Sequence, residues 1–177
     1  MIRTATVLAA LLMSCAAATA ADLYVPVTPE PIYEAAGFDW NGVYVGVHGG
    51  GEQYRLASFA AIGGVVGFNF LPTDSLLLGV EATADYTWNN AGNGVDLFAN
   101  ARAGWLVTDP VLVYALAGVG TFTSGGNSVN LYQLGGGVEL AVTDQVTVRG
   151  QLTGEGNFSG TRLFNAARAT VGAAYHF

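Results

Sequence analysis

The chain has 177 residues, half of them apolar, 11% charged, 25 of them glycine and none lysine. A net charge of −7 with no basic patch excludes nucleic acid as a partner. The mean hydropathy is positive, yet no apolar run of 18 or more follows the N-terminal region, which excludes membrane-crossing helices of about 20 residues.

In chain order, the first element reads as a secretory signal over residues 1–20. Arg3 is its positive region, Ala5 to Met13 its apolar region, and Ala18 and Ala20 bracket an A-x-A cleavage site. Lipoprotein processing at Cys15 is the alternative, and Met13 fits a lipobox poorly. Cys15 is the sole cysteine, so a cleaved chain has no thiol and no disulfide. Residues 21–37 carry Pro26, Pro29 and Pro31. Proline lacks the donor that a strand ladder needs, so this stretch reads as an extended periplasmic segment, with packing into the barrel mouth as the alternative.

From residue 38 onward the pattern has period two, the signature of strands with two unlike faces. The segments lie near Trp40–His48, Ile62–Phe70, Leu76–Trp88, Val95–Trp105, Val111–Phe122, Tyr132–Val142, Val146–Thr153 and Ala167–Phe177. In the third, Leu78, Val80, Ala82, Ala84 and Tyr86 alternate with Gly79, Glu81, Thr83, Asp85 and Thr87. In the last, Ala167, Ala169, Val171, Ala173, Tyr175 and Phe177 oppose Arg168, Thr170, Gly172, Ala174 and His176. For Val111–Phe122 both faces are apolar or small, and the inward side is undecided.

The connectors alternate in kind. Leu71–Ser75, Val107–Pro110 and Thr143–Gln145 are short turns with Pro or Asp. Gly49–Ala57, Asn89–Gly94, Ser124–Asn127 and Gly154–Gly160 are Gly- and Asn-rich loops. Short periplasmic turns and longer outer loops are the polarity of a transmembrane barrel. The predicted fold is therefore all-β: an eight-stranded antiparallel up-and-down transmembrane β-barrel over residues 38–177, both termini periplasmic. A soluble lipocalin-like barrel would reverse the faces and needs more charge on its exterior than this chain has.

The predicted inward face holds Glu81, Asp85, Arg102, Glu139, Arg149 and Arg168. Unpaired buried charge is costly, so these acids and arginines should balance. Matching depth predicts Glu81–Arg102 and Glu139–Arg149 as inter-strand ion pairs, with Arg168 and Asp85 meeting higher up. Eight strands leave room only for side chains, so the network reads as a plug rather than a pore lining.

Catalytic signals are weak. His48, near Ser58 and Glu52 in sequence, reads as a solvated rim residue rather than a base, and His176 lies at the opposite end. Two histidines and no mature thiol provide no transition-metal set, and no cofactor is expected.

The run Phe38-Asp39-Trp40-Asn41-Gly42-Val43-Tyr44-Val45-Gly46 resembles the alphaproteobacterial small outer-membrane β-barrel family of OmpA-like, opacity-type surface antigens. Gly79-Val80-Glu81, Arg102-Ala103-Gly104-Trp105, Gly137-Val138-Glu139 and the ending at Phe177 carry the same likeness. The resemblance implies that Tyr175 and Phe177 form the signal read by the barrel-assembly machinery; they also suit an aromatic girdle. Thr83 and Gln151 replace acids usual in the family, and the outer loops are short, departures that count against surface roles such as adhesion or haemin binding. No cell-wall tether is expected beyond Phe177.

The expected function is that of a non-enzymatic outer-membrane protein supporting membrane integrity and surface properties. The alternatives are a narrow pore, a ligand or adhesion protein acting through outer loops, and a lipid A or peptide enzyme using His48. Expected partners are outer-membrane lipid and lipopolysaccharide, the assembly machinery and periplasmic chaperones.

Overall fold

The computed structural model describes residues 37–54, 57–160 and 162–177. The signal region with Ala18 and Ala20, Cys15, and the Pro-rich segment up to residue 36 lie outside the described residues. No described helix is long and apolar enough to cross a membrane; the secondary structure is strand. The strands are β1 (Gly42–Tyr54), β2 (Ala57–Phe70), β3 (Leu76–Asn89), β4 (Gly92–Thr108), β5 (Val111–Ser124), β6 (Asn127–Ala141), β7 (Val146–Asn157) and β8 (Ala166–His176). Each pairs antiparallel with its sequence neighbours, and β1 pairs with β8, so the sheet closes as an eight-stranded barrel. Closure leaves no sheet edge to pair with another chain.

The alternation read from the sequence sets the two faces. Leu152, Val47 and Val171 are 69%, 67% and 65% exposed on the outside, whereas Glu81, Arg102, Glu139 and Arg149 are buried inside. An apolar exterior around a charged interior is the arrangement a bilayer requires and the reverse of a lipocalin-like barrel. The undecided segment resolves as β5, with Leu112, Tyr114 and Leu116 inward and Val113 and Val119 outward.

The glycine-rich stretches correct the predicted loops. Gly49–Gly51 are strand residues, paired with Ile62, Ala61 and Ala60, so β1 continues to Tyr54. Likewise Gly154 and Gly156 pair with Leu134 and Tyr132, and the true connection between β7 and β8 begins after Asn157. At Gly50, Gly154 and Gly156 glycine serves the close approach of a neighbouring strand or a large side chain rather than a turn. At Gly125 and Gly126 glycine does make a turn: φ is 56° and 81° in a two-residue hairpin loop of the kind that needs φ above zero.

Interior packing follows a rule visible in the register. A large inward side chain lies opposite an inward glycine: Tyr44 on Gly67, Asp85 on Gly63, Phe98 on Gly120, Tyr114 on Gly137 and His48 on Gly172. A Cβ at Gly67 would collide with the hydroxyl end of the Tyr44 ring. Gly67→Ala is expected to destabilise the barrel by about 1–3 kcal/mol, the usual cost of overpacking. Gly150→Ala is the control, since its Cβ would meet nothing within 4 Å. Urea unfolding followed by tryptophan fluorescence measures both; equal midpoints would show that the Tyr44 side yields freely.

One end of the barrel, the near end, carries the start of β1, the end of β8 and the turns at 71–75, 109–110 and 142–145. The far end carries the other four connections. At the near end Trp40, Leu77, Leu112, Tyr114 and Leu116 form a buried apolar cluster with Phe38 packed against it. The Trp40 indole N–H donates to the Asp109 carbonyl at 2.9 Å, and the ring meets His176 edge-on. Trp40, expected within the first strand, instead sits just before it and closes this end.

Candidate functional site

The interior charges form two layers. In the near layer Glu81 of β3 is the hub. One of its oxygens accepts from the Tyr44 hydroxyl at 2.5 Å, Arg149 Nη1 at 2.6 Å and Arg102 Nη1 at 2.9 Å. The second Arg102 nitrogen, Nη2, donates to Glu139 at 2.9 Å. Glu139 also accepts from Thr147 at 2.6 Å and has His176 Nε2 at 3.5 Å. The Arg102 guanidinium lies 4.5 Å from the centre of the Tyr114 ring and 5.4 Å from that of Tyr44. Two acids therefore meet two arginines, and aromatic faces shield the group.

This geometry corrects one predicted pair. Glu81 and Arg102 do meet across neighbouring strands. Glu139 and Arg149 are register partners but not ion-paired: Arg149 crosses the lumen to Glu81, and Glu139 is taken by Arg102. Arginine is long enough to span so narrow a barrel, and the two oxygens of Glu139 are taken by Thr147 and Arg102.

The far layer centres on Arg168 of β8. Its Nη2 lies 2.5 Å from Glu52 and 2.6 Å from Asp96, its Nε 3.2 Å from Glu155, and its Nη1 3.5 Å from Asp85. The expected Arg168–Asp85 contact is thus the longest of four. Asp85 is held more closely by His48, whose Nε2 is 2.5 Å away. His48 is buried, which corrects its reading as a solvated rim residue. Ser58 donates to Gln53 on the exposed side and does not meet His48. Among the described residues, four carboxylates share this layer with one guanidinium and His48, unlike the balance expected from the sequence.

Glu52 and Glu155 are the residues that sequence reasoning missed. Both fall in stretches, Gly49–Ala57 and Gly154–Gly160, whose glycines read as loops. Each keeps the parity of its strand, Glu52 with Tyr44 and His48, and Glu155 with Arg149 and Thr153. Extending the alternation through glycine would have found them.

Between the layers Gln133 donates to Asn100 at 2.5 Å, so polar side chains fill the middle. Outside, aromatic residues ring both ends. Trp105, Phe70, Tyr175 and Phe177 are exposed at the near end, and Tyr86 and Trp88 stack at 5.7 Å at the far end. Tyr175 and Phe177 meet edge-on, with ring centres 5.1 Å apart. Among the described residues no group of three His, Cys, Asp or Glu side chains is arranged to hold a metal ion.

A closed antiparallel eight-stranded barrel, apolar outside and charged within, has the fold of the small outer-membrane β-barrels. Solved structures of that class are similar to this chain. The N-terminal β-barrel domain of Pseudomonas aeruginosa OprF has 17% identity over 76% of this chain and 97% of that domain, with a TM-score of 0.54. Neisserial surface protein A has 15% identity over 76% of this chain and 96% of its own, also with a TM-score of 0.54. Ail, the attachment invasion locus protein of Yersinia pestis, has 13% identity over 77% of this chain and 97% of its own, with a TM-score of 0.50. No protein-family model matches the chain, and no curated protein matches it.

Proposed function

We propose that the chain is a non-enzymatic outer-membrane β-barrel protein that contributes to membrane integrity and surface properties. The observation that carries this reading is an interior filled by hydrogen-bonded side chains inside an apolar, lipid-matched exterior. A lumen plugged at the near end by Trp40, Leu77 and Leu112 favours a structural role over steady conduction. On this reading the signal is cleaved after Ala20, and the near end, with both termini, faces the periplasm. Tyr175 and Phe177 then address the assembly machinery after periplasmic chaperones deliver the chain, and lipopolysaccharide and phospholipid contact the outer surface. Membership of the alphaproteobacterial family belongs to the same reading and rests on the quoted sequence segments.

Two measurements test it together. Expressed in a Gram-negative host, the protein is expected in the outer-membrane fraction, with different gel mobility before and after boiling. In planar bilayers it is expected to show no steady single-channel conductance. A sustained open state would establish the narrow pore instead, and a soluble periplasmic protein without a mobility shift would end the barrel reading.

A further inference from the structure

The connection between β7 and β8 differs from the far-end hairpins at 90–91 and 125–126, which have two residues each: it begins at Phe158 and ends at Asn165. Asn157 starts the reversal. Its side chain accepts from the Ser159 amide at 2.8 Å, and its carbonyl from the Gly160 amide at 3.0 Å. The chain then lies against the outer wall of β6 and β7. Tyr132, on the outward parity of β6, donates its hydroxyl to the Leu163 carbonyl and meets the Phe158 ring edge-on at 5.3 Å. A Cβ at outward-facing Gly156 would strike the Leu163 carbonyl, and one at Gly154 the Phe164 ring. Phe158, Leu163 and Phe164 nevertheless remain 61%, 66% and 42% exposed, with Arg162 exposed beside them. We propose that this loop is a docking site for a phosphate-bearing membrane lipid, with Arg162 on the phosphate and the three apolar side chains among its acyl chains. The inference rests on the reading of the exterior as lipid-facing and gives that surface a specific partner.

Three observations converge. The first is position. The wall under the loop continues the apolar surface of Leu134 and Leu152, which share the outward parity of Tyr132 and Gly154. Gly156 also points outward, yet it is buried, because Tyr132 and the loop cover it. The apolar side chains of the loop therefore extend the lipid-facing exterior at its far margin. The second is charge. Among the described residues the exposed aspartates Asp39, Asp74, Asp109 and Asp144 all lie at the near end, and the exposed arginine, Arg162, lies at the far end. Arg102, Arg149 and Arg168 are buried and held by interior acids, whereas none of the ion pairs among the described residues includes Arg162. A guanidinium presents a planar fork of donors that matches phosphate oxygens. The third is the combination. A long arginine stem lies along apolar surface while its head reaches the headgroup level, and large apolar neighbours enter the layer below. A soluble anion would satisfy Arg162 and leave Phe158 and Leu163 in water. A neutral lipid would cover those two and leave Arg162 without an anionic acceptor.

The test places the folded protein, one barrel per disc, in phosphatidylcholine nanodiscs, adds lipid A carrying both phosphates, and follows backbone amides by NMR. Saturable shifts are expected at Arg162, Leu163 and Phe164, with the near-end amides of Asp74 and Asp144 unmoved. Arg162→Gln is expected to weaken the response about fivefold, the order of one arginine at an anionic membrane surface. Lipid A stripped of its phosphates should be weaker to the same degree, and inorganic phosphate in solution should shift none of these amides. Absence of saturable shifts, undiminished affinity in Arg162→Gln, or an equal response to the stripped lipid would overturn the proposal. So would a response to inorganic phosphate alone, or one that appears only with two barrels per disc, which would assign the loop to a second copy. An NOE between the Leu152 methyl groups and lipid acyl chains checks the exterior independently. With that contact present and the loop amides unmoved, this inference alone falls; with neither, the lipid-facing reading falls with it.

Discussion

Glu81→Leu is expected to destabilise the barrel by about 3–5 kcal/mol, the cost of leaving a buried charge without its partner. Glu81 is 4% exposed and accepts from Tyr44, Arg102 and Arg149 on a single oxygen. Arg102 keeps Glu139 and two aromatic faces when Glu81 is removed. Arg149 loses its acceptor in a space that water cannot easily fill. The loss should therefore be largely recovered in Glu81→Leu/Arg149→Met, because replacing a whole buried ion pair with apolar side chains is often close to neutral. The two sites should be strongly non-additive, as contacting residues are. Urea unfolding in lipid vesicles, read by the fluorescence of Trp40, Trp88 and Trp105, measures the cycle. A single-variant loss below about 1 kcal/mol, the range of exposed ion pairs, would mean that water reaches and screens the near layer.

The second large effect is on the outside. Leu152 is at the middle of β7, 69% exposed and directed away from the lumen. Leu152→Arg is expected to cost about 2–4 kcal/mol in a bilayer, the penalty for arginine at the midplane of an outer-membrane barrel. Phe158→Arg, just beyond the far end of β7, should cost about 0–1 kcal/mol, because headgroups and water are within reach there. The gradient between the positions is the diagnostic. In a soluble barrel Leu152→Arg would be neutral or would improve solubility, so equal unfolding midpoints for the two variants would contradict a lipid-facing exterior.

The near and far layers also differ in what they suit. The near layer is balanced and sealed beneath by Trp40 and Phe38, an arrangement fit for holding strands together. The far layer is acid-rich among the described residues and lies against a cavity at the far mouth. This division along the barrel axis is what a charge total for the whole interior conceals.

Read by itself, the sequence determined the architecture. Alternation is a local property: successive side chains of a strand point to opposite faces, so the rows Leu78-Val80-Ala82 and Glu81-Thr83-Asp85 assign outside and inside without any knowledge of neighbours. The same parity places the charged side chains inside, Asp96 included because it alternates with Arg102 in β4, apart from Glu52 and Glu155. Those two were obscured because glycine marks turns and close strand contacts alike, and only the neighbouring strand distinguishes the two uses. At Gly125-Gly126 it is a turn; at Gly50 it is a strand residue against which the backbone of β8 at Ala169 leaves no room for a Cβ.

Apart from the neighbouring-strand pair Glu81–Arg102, partner choice was decided by the tertiary structure. Glu139 and Arg149 stand side by side in the register, yet β3 and β7, and β4 and β6, are joined across the lumen by Arg149–Glu81 and Arg102–Glu139. Sequence spacing describes depth along a strand, whereas these bonds depend on the distance across a closed ring, which exists only once β1 has met β8. The same holds for Arg168, whose four acids come from β1, β3, β4 and β7. Charge inside a narrow barrel is paired by the geometry of closure.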